Sequence, residues 1–391
     1  ILNGIKYMAC VRVSAPGKVI LHGEHAVMFG KLAIAGSLGL RSSVKIKELQ
    51  EPTLRVTFTS VELLCAVQLQ AVNQLLQSSS STWQTPHTYQ HSIQIDITDK
   101  FLSENVPQFH KLNNYQKNAL RSFFYLIPGV LGGITLDKGL DLEVSSELTI
   151  GAGTGSSASF AVCLAGGLLQ LAKIKGGCAS KDFSAQDKEL ISAWAYNSEK
   201  IMHGAPSGID NATATFGSLV SLIKGQPPVH LSLGLDFRVL LVNTGVSRET
   251  RAVAARVAER RGWTGGAIEK TVDAIGCVTE DILKKLSVAT SEAELNEGYQ
   301  RLSTLWDMNH CLLSALGVSH AALEMIRAAA ARHALVAKLT GAGGGGYAIV
   351  LVPPKTAESS LDALKADLTA QGFEVTDTTL GGRGVTIDEC S

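Results

Sequence analysis

The stretch GAGTGSSASF, Gly151 to Phe160, runs directly into FAVCLAGGLLQLA, and this junction constrains the fold more than any other part of the chain. Apolar residues after Ser157 fall on every side of a 3.6-residue repeat, which predicts a central, buried helix over about 156–174. Gly166 and Gly167 lower its helix propensity and predict close contact with a neighbouring element. Ahead of it, three glycines permit close backbone approaches, and the first N–H groups of a helix lack intrahelical partners. Together these features suit an anion such as phosphate. A glycine turn followed by an ordinary Ser N-cap is the alternative reading of the same residues.

With 391 residues, the chain exceeds the usual size of a single core, so two domains are expected. Lys plus Arg equals Asp plus Glu at 35 each, which leaves no global field to attract nucleic acid or an anionic membrane. Any anionic ligand must therefore be held by local groups. Cys10, Cys65, Cys163, Cys178, Cys277, Cys311 and Cys390 are odd in number, scattered and never in CxxC spacing, which predicts a reduced intracellular chain without structural zinc. The apolar runs fall short of the roughly 18 residues of a membrane span, and no basic segment precedes an apolar one at the start, so a soluble protein is expected.

Along the chain, CVRVSAPGKVILHGEHAV predicts strand, turn at Pro16–Gly17, and strand. Residues 31–47 and 53–59 continue as β, and 61–125 reads as helix, exposed loop, helix. GITLDKGLDLEVSSELTI predicts paired strands leading into the first glycine loop. DKELISAWAYNSEKIMHG predicts a helix ended by Gly204 and Pro206, with Glu199 near its end. Strand-like SLVSLI and FRVLLVNTG precede a mostly helical region over about 248–334. ALVAKLTGAGGGGYAIVLVPP gives strand, glycine loop, strand, followed by a helix near 357–371 and a final strand at GVTI. A β-rich first half followed by helices and a few strands predicts an α+β protein of two domains.

Neither glycine loop is a known nucleotide fingerprint. The first lacks the Walker lysine and has Ser156 where GxGxxG needs glycine. The second, Gly341 to Gly346, matches GxGxxG but leads into a strand, whereas a dinucleotide-binding loop must open a helix. Five glycines in six positions exceed what a hairpin turn needs, and close approach of another backbone or a ligand explains them better. HGEHAV offers His22, Glu24 and His25 without the HExxH spacing of a zinc site. Asp210, after a Pro-Ser-Gly turn, reads alone as an N-cap, and Lys18 as a surface charge.

Taken in order, SAPGKVILHGEHAVMFGKLAIA, SELTIGAGTGSSASFAVCLAGGLL, SEKIMHGAPSGIDNA and KLTGAGGGGYAIVL resemble the signature motifs of the small-molecule kinases that include galactokinase, homoserine kinase, mevalonate kinase and phosphomevalonate kinase. VNTGVSRETRAVAARV and DMNHCLLSALGVSH are most similar to the animal-type mevalonate kinases within that superfamily. Thr149 and Ile150 stand where the family commonly has prolines, and Thr154 where it has leucine.

The resemblance implies an N-terminal domain like ribosomal protein S5 domain 2 over 1–235, a ferredoxin-like domain over 236–391, and an active site in the cleft between them. It implies that Gly151, Gly153, Gly155, Ser156 and Ser157 bind ATP, that Ser157 and Glu199 hold magnesium, and that Asp210 and Lys18 are catalytic. Glu24, His25, Arg248, Thr250 and Ala342 would lie on the substrate side. The implied reaction is phosphorylation of the C5 hydroxyl of mevalonate on the way to isoprenoid and sterol precursors. A cytoplasmic homodimer is implied, with peroxisomal association left open and with feedback by prenyl diphosphates. A kinase of another alcohol or of phosphomevalonate is the alternative enzyme. A ligand sensor without turnover is the alternative outside enzymes. GEHAVMFG lacks the aspartate that galactokinases carry after this motif, which argues against a sugar.

Overall fold

The computed structural model describes residues 9–78, 86–87, 90–204, 206–231, 237–247, 250–286 and 292–389. Alternation of buried Val11, Val13 and Ala15 with outward-facing neighbours makes β1 (Cys10–His22) a strand with one apolar face. It runs through Pro16 and Gly17, where a turn was expected. The missing Pro16 N–H falls at a register shift against β2 (Leu32–Leu49), so the proline makes a bulge and the strand continues. β3 (Thr53–Phe58) pairs with β4 (Leu63–Gln68), whose buried Leu63, Cys65 and Val67 alternate with exposed residues. That alternation makes the start of the expected helix a strand, and helix α1 (Leu69–Ser78) begins only after it. Helices α2 (His91–Asn105) and α3 (Asn114–Leu131) follow; residues 79–85 and 88–89 of the expected loop lie outside the described residues. β5 (Gly139–Ser146) has no hairpin partner next to it in sequence and pairs with β2 and β3 instead.

Helix α4 (Ser156–Lys175) follows the first glycine loop, then α5 (Ala185–His203), α6 (Ile209–Phe216), β6 (Leu219–Ile223), β7 (Val229–Leu231) and β8 (Phe237–Asn243). Four helices come next: α7 (Thr250–Arg261), α8 (Ala267–Leu286), α9 (Glu292–Ala315) and α10 (Ala321–Arg332). The chain ends through β9 (Val336–Leu339), β10 (Tyr347–Leu351), α11 (Glu358–Ala370), β11 (Glu374–Leu380) and β12 (Thr386–Asp388). β7 and β11 were not anticipated: β11 carries no buried apolar alternation beyond Thr378 and Leu380.

The first sheet has the order β12-β1-β2-β5-β3-β4, and the opposite half of β2 carries β6 and β7. The second sheet is antiparallel β11-β8-β10-β9. They meet through one residue pair, Leu38 with Leu380. One core joins the first sheet to α1–α5 and another joins the second sheet to α7–α11. A third, with Leu21, Ile34 and Leu38 against Val239, Trp306 and Ile349, fuses the two. The tail strand β12 returns to β1 in the first sheet. The expected division at 235/236 falls outside the described residues.

By length and composition α4 is apolar enough to cross a membrane, but it lies between α3, α5 and strands β1 and β2. A Cβ on Gly167 would stand 2.6 Å from Val44 Cγ1, which accounts for the glycine pair at its centre. Ser159 locks the helix to both strands, donating to Ala15 O at 2.7 Å and accepting from Ser42 N at 3.2 Å. Cys10 is disulfide-bonded, contrary to the fully reduced chain expected, because a pairing between sequence-distant cysteines leaves no spacing signal.

Candidate active site

Gly151, Gly153 and Gly155 all adopt left-handed φ values, 75°, 88° and 71°. Gly155 is the N-cap of α4 and supplies no side chain, so Ser156 and Ser157 are the first two helical residues and neither is the cap. The loop crosses β1 closely: Lys18 N donates to Thr154 O at 2.8 Å, and a Cβ on Gly155 would stand 2.9 Å from Lys18 Cγ. Lys18 Nζ then reaches Gly153 O and Asp210 Oδ2, each at 3.2 Å. One ammonium thus joins the first glycine loop to the carboxylate.

Asp210 is not an N-cap either. Gly208 caps α6 at φ 84°, and Asp210 sits in the first turn, where a carboxylate is favoured by the helix dipole. Its side chain is 32% exposed, open enough to meet a substrate. Facing it, Glu199 near the end of α5 is 2% exposed, and its Oε2 is buried without a hydrogen-bond partner. Burial and the Asp210 charge push the Glu199 carboxyl up to about 8, against the pull of Lys18 and Ser157. Ser157 Oγ lies 3.4 Å from Glu199 Oε1 and 3.2 Å from His203 Nε2. Among the described residues no three His, Cys, Asp or Glu side chains cluster to hold a metal. A hydroxyl and an orphaned carboxylate oxygen nevertheless fit magnesium, which takes one or two protein oxygens and completes its shell with water and phosphate.

The groups expected on the substrate side diverge. His25 Nε2 lies 2.8 Å from Ala342 O, so these two residues, 317 apart in sequence, hold each other. The Glu24 carboxylate, expected on the substrate side, is fully buried, paired with Lys338 Nζ at 2.5 Å and accepting from Asn309 Nδ2 at 3.0 Å. Burial lowers the Lys338 pKa despite that partner. Thr250 opens α7, and Arg248 lies outside the described residues. Thr340 Oγ1 donates to Ile20 O at 2.7 Å. His310 Nδ1 accepts from Leu339 N at 3.1 Å, so the DMNHC segment braces β9 from behind.

The second glycine loop is shaped by the chain's own backbone. A Cβ on Gly343 would meet Val318 O at 2.1 Å and one on Gly345 would meet Val246 O at 2.7 Å. Gly344 N and Gly346 N donate to those same two carbonyls. Thr149, one of the departures from the family motif, accepts from Tyr347 OH at 3.1 Å and so ties the first loop to the second sheet.

Sequence comparison agrees with this geometry. Residues 114–218 match the model described as GHMP kinases N terminal domain, and 292–370 match GHMP kinases C terminal. The chain is 35% identical to the mevalonate kinase of Homo sapiens over 390 residues, covering 96% of this chain and 94% of that one. It belongs to the mevalonate kinase family. The mevalonate kinase of Arabidopsis thaliana is 30% identical over 387 residues, with 96% and 99% covered. Among solved structures, L. major mevalonate kinase in complex with R-mevalonate superposes with a TM-score of 0.68 at 21% identity, covering 98% of this chain and all of that one. The two-domain α+β kinase fold is therefore shared, and the chain is a kinase.

Lys338, Asn309 and His203 were missed as parts of this region. His203 had a signal, since it lies four residues after Glu199 in a helix and must share its face. Lys338 had none, because its partner is 314 residues away.

Proposed function

We propose that the chain transfers the γ-phosphoryl group of ATP to the C5 hydroxyl of mevalonate, yielding 5-phosphomevalonate for isoprenoid and sterol precursors. The observation that carries this reading is the Lys18 ammonium held between Asp210 and the first glycine loop. An alcohol is a weak nucleophile, so Asp210 accepts the hydroxyl proton as the oxygen attacks phosphorus. Lys18 stabilises negative charge as it develops on the transferring oxygens. The loop and the uncapped start of α4 hold the phosphates through backbone N–H groups. Magnesium bound by Ser157 and Glu199 would neutralise phosphate charge. His25 fixes the position of Ala342 at the substrate end.

Purified protein with Mg-ATP is expected to phosphorylate mevalonate at least about tenfold better in kcat/KM than galactose, homoserine or phosphomevalonate. That preference is about 1.4 kcal/mol of transition-state binding. Equal turnover of any of the three overturns the reading.

A further inference from the structure

We propose that His203 is a positioning residue that aims Ser157 at the metal. The inference rests on the magnesium reading above and deepens it. A hydroxyl carries one proton and two acceptor lone pairs. The Ser157 proton has two acceptors within reach, Glu199 Oε1 at 3.4 Å and His203 Nε2 at 3.2 Å. Donation to Glu199 would tie the two cation ligands to each other. Donation to His203 leaves both Ser157 lone pairs and both Glu199 oxygens free, and Glu199 Oε2 is already buried without a partner. The shorter contact is the one to His203.

The last turn of α5 makes this possible. Glu199 and His203 stand one helical turn apart on one face, and Gly204, at φ 71°, ends the helix directly after the histidine. Nε2 acts as acceptor in the tautomer that carries its proton on Nδ1. His203 is exposed, so core packing does not account for its place beside Ser157. The competing explanation is a basic side chain at a helix C-terminus, favoured by the dipole alone. That explanation predicts a small stability effect and no effect on metal affinity.

The test measures Mn2+ affinity by electron paramagnetic resonance in the presence of a non-hydrolysable ATP analogue. Metal-free nucleotide affinity and melting temperature serve as controls. His203→Leu is expected to weaken Mn2+ binding about tenfold, the scale of lost support behind a metal ligand, with both controls unchanged. His203→Gln, whose side-chain carbonyl can accept the same proton, is expected to recover most of the affinity. The double variant with Ser157→Ala should bind Mn2+ no worse than Ser157→Ala alone, because His203 acts through that hydroxyl. Wild-type Mn2+ affinity in folded His203→Leu, with Ser157→Ala impaired, overturns this inference alone. Wild-type affinity in Ser157→Ala overturns the magnesium reading and this inference together. If His203→Leu does not fold, His203→Ala replaces it in the same comparison.

Discussion

Lys18 contacts two groups that the reaction must keep in register, the carboxylate of Asp210 and the carbonyl of Gly153, so its removal should affect rate more than binding. Asp210→Asn keeps the volume and gives up the charge. A merely structural aspartate in the first turn of a helix would lose about 1 kcal/mol of stability or less. A proton acceptor should lose about 100-fold or more in single-turnover phosphoryl transfer, with nucleotide and mevalonate affinity nearly unchanged. Lys18→Met should also be slow, and the double variant little worse than the poorer single one if the pair acts as a unit. Near-normal transfer by folded Asp210→Asn would remove it as the base. These residues were legible because each sits in a short motif whose neighbours are glycines and prolines, and four such motifs occur in family order. Glu24 stands in an equally legible motif, but its ion pair was not legible, because the lysine that claims it is 314 residues away.

At the level of elements, patterning served best where one face met one partner. Helix α4 was readable from its apolar surface, while β11 was hidden because its polar-looking sequence is held by backbone pairing to β8 and by a single contact with β2. Two opposed effects meet at Gly167. Alanine would gain about 1 kcal/mol of helix propensity, yet its Cβ would stand 2.6 Å from a stiff, β-branched Val44, and overpacking costs about 1–3 kcal/mol. Gly167→Ala is therefore expected to lower stability in denaturant unfolding; a gain would mean that β2 yields. Between α9 and α10, Glu324 accepts from Ser319, His310 and Ser314. Burial acts to raise its pKa, but these partners prevail and hold it at about 2, below the ordinary 4.5. A lowered carboxyl contributes stability above about pH 4.5 that is lost as pH falls toward 2. The melting-temperature difference between the native chain and Glu324→Gln should be full at pH 6 and shrink by pH 3. A gap constant with pH would contradict this.

For the whole molecule, the two halves are laced by polar ties that include His25 to Ala342, Thr340 to Ile20 and Tyr347 to Thr149, and the Glu24–Lys338 pair among them has 0% side-chain exposure on both sides. Lys338→Met leaves a buried carboxylate uncompensated, a loss of about 3–5 kcal/mol, whereas adding Glu24→Gln should restore much of it. Urea unfolding of both single variants and the double one checks this, and additive losses would exclude the coupling. The architecture itself was legible as two halves; how the halves are laced was not, because lacing is made by residues hundreds of positions apart. The tail strand has a consequence for biogenesis. Since β12 covers one edge of β1 at Arg12, Val13 and Ser14, that edge stays bare during synthesis until residue 388 has been made, and the nascent strand must be guarded against exchange over the several hundred residues that separate the two.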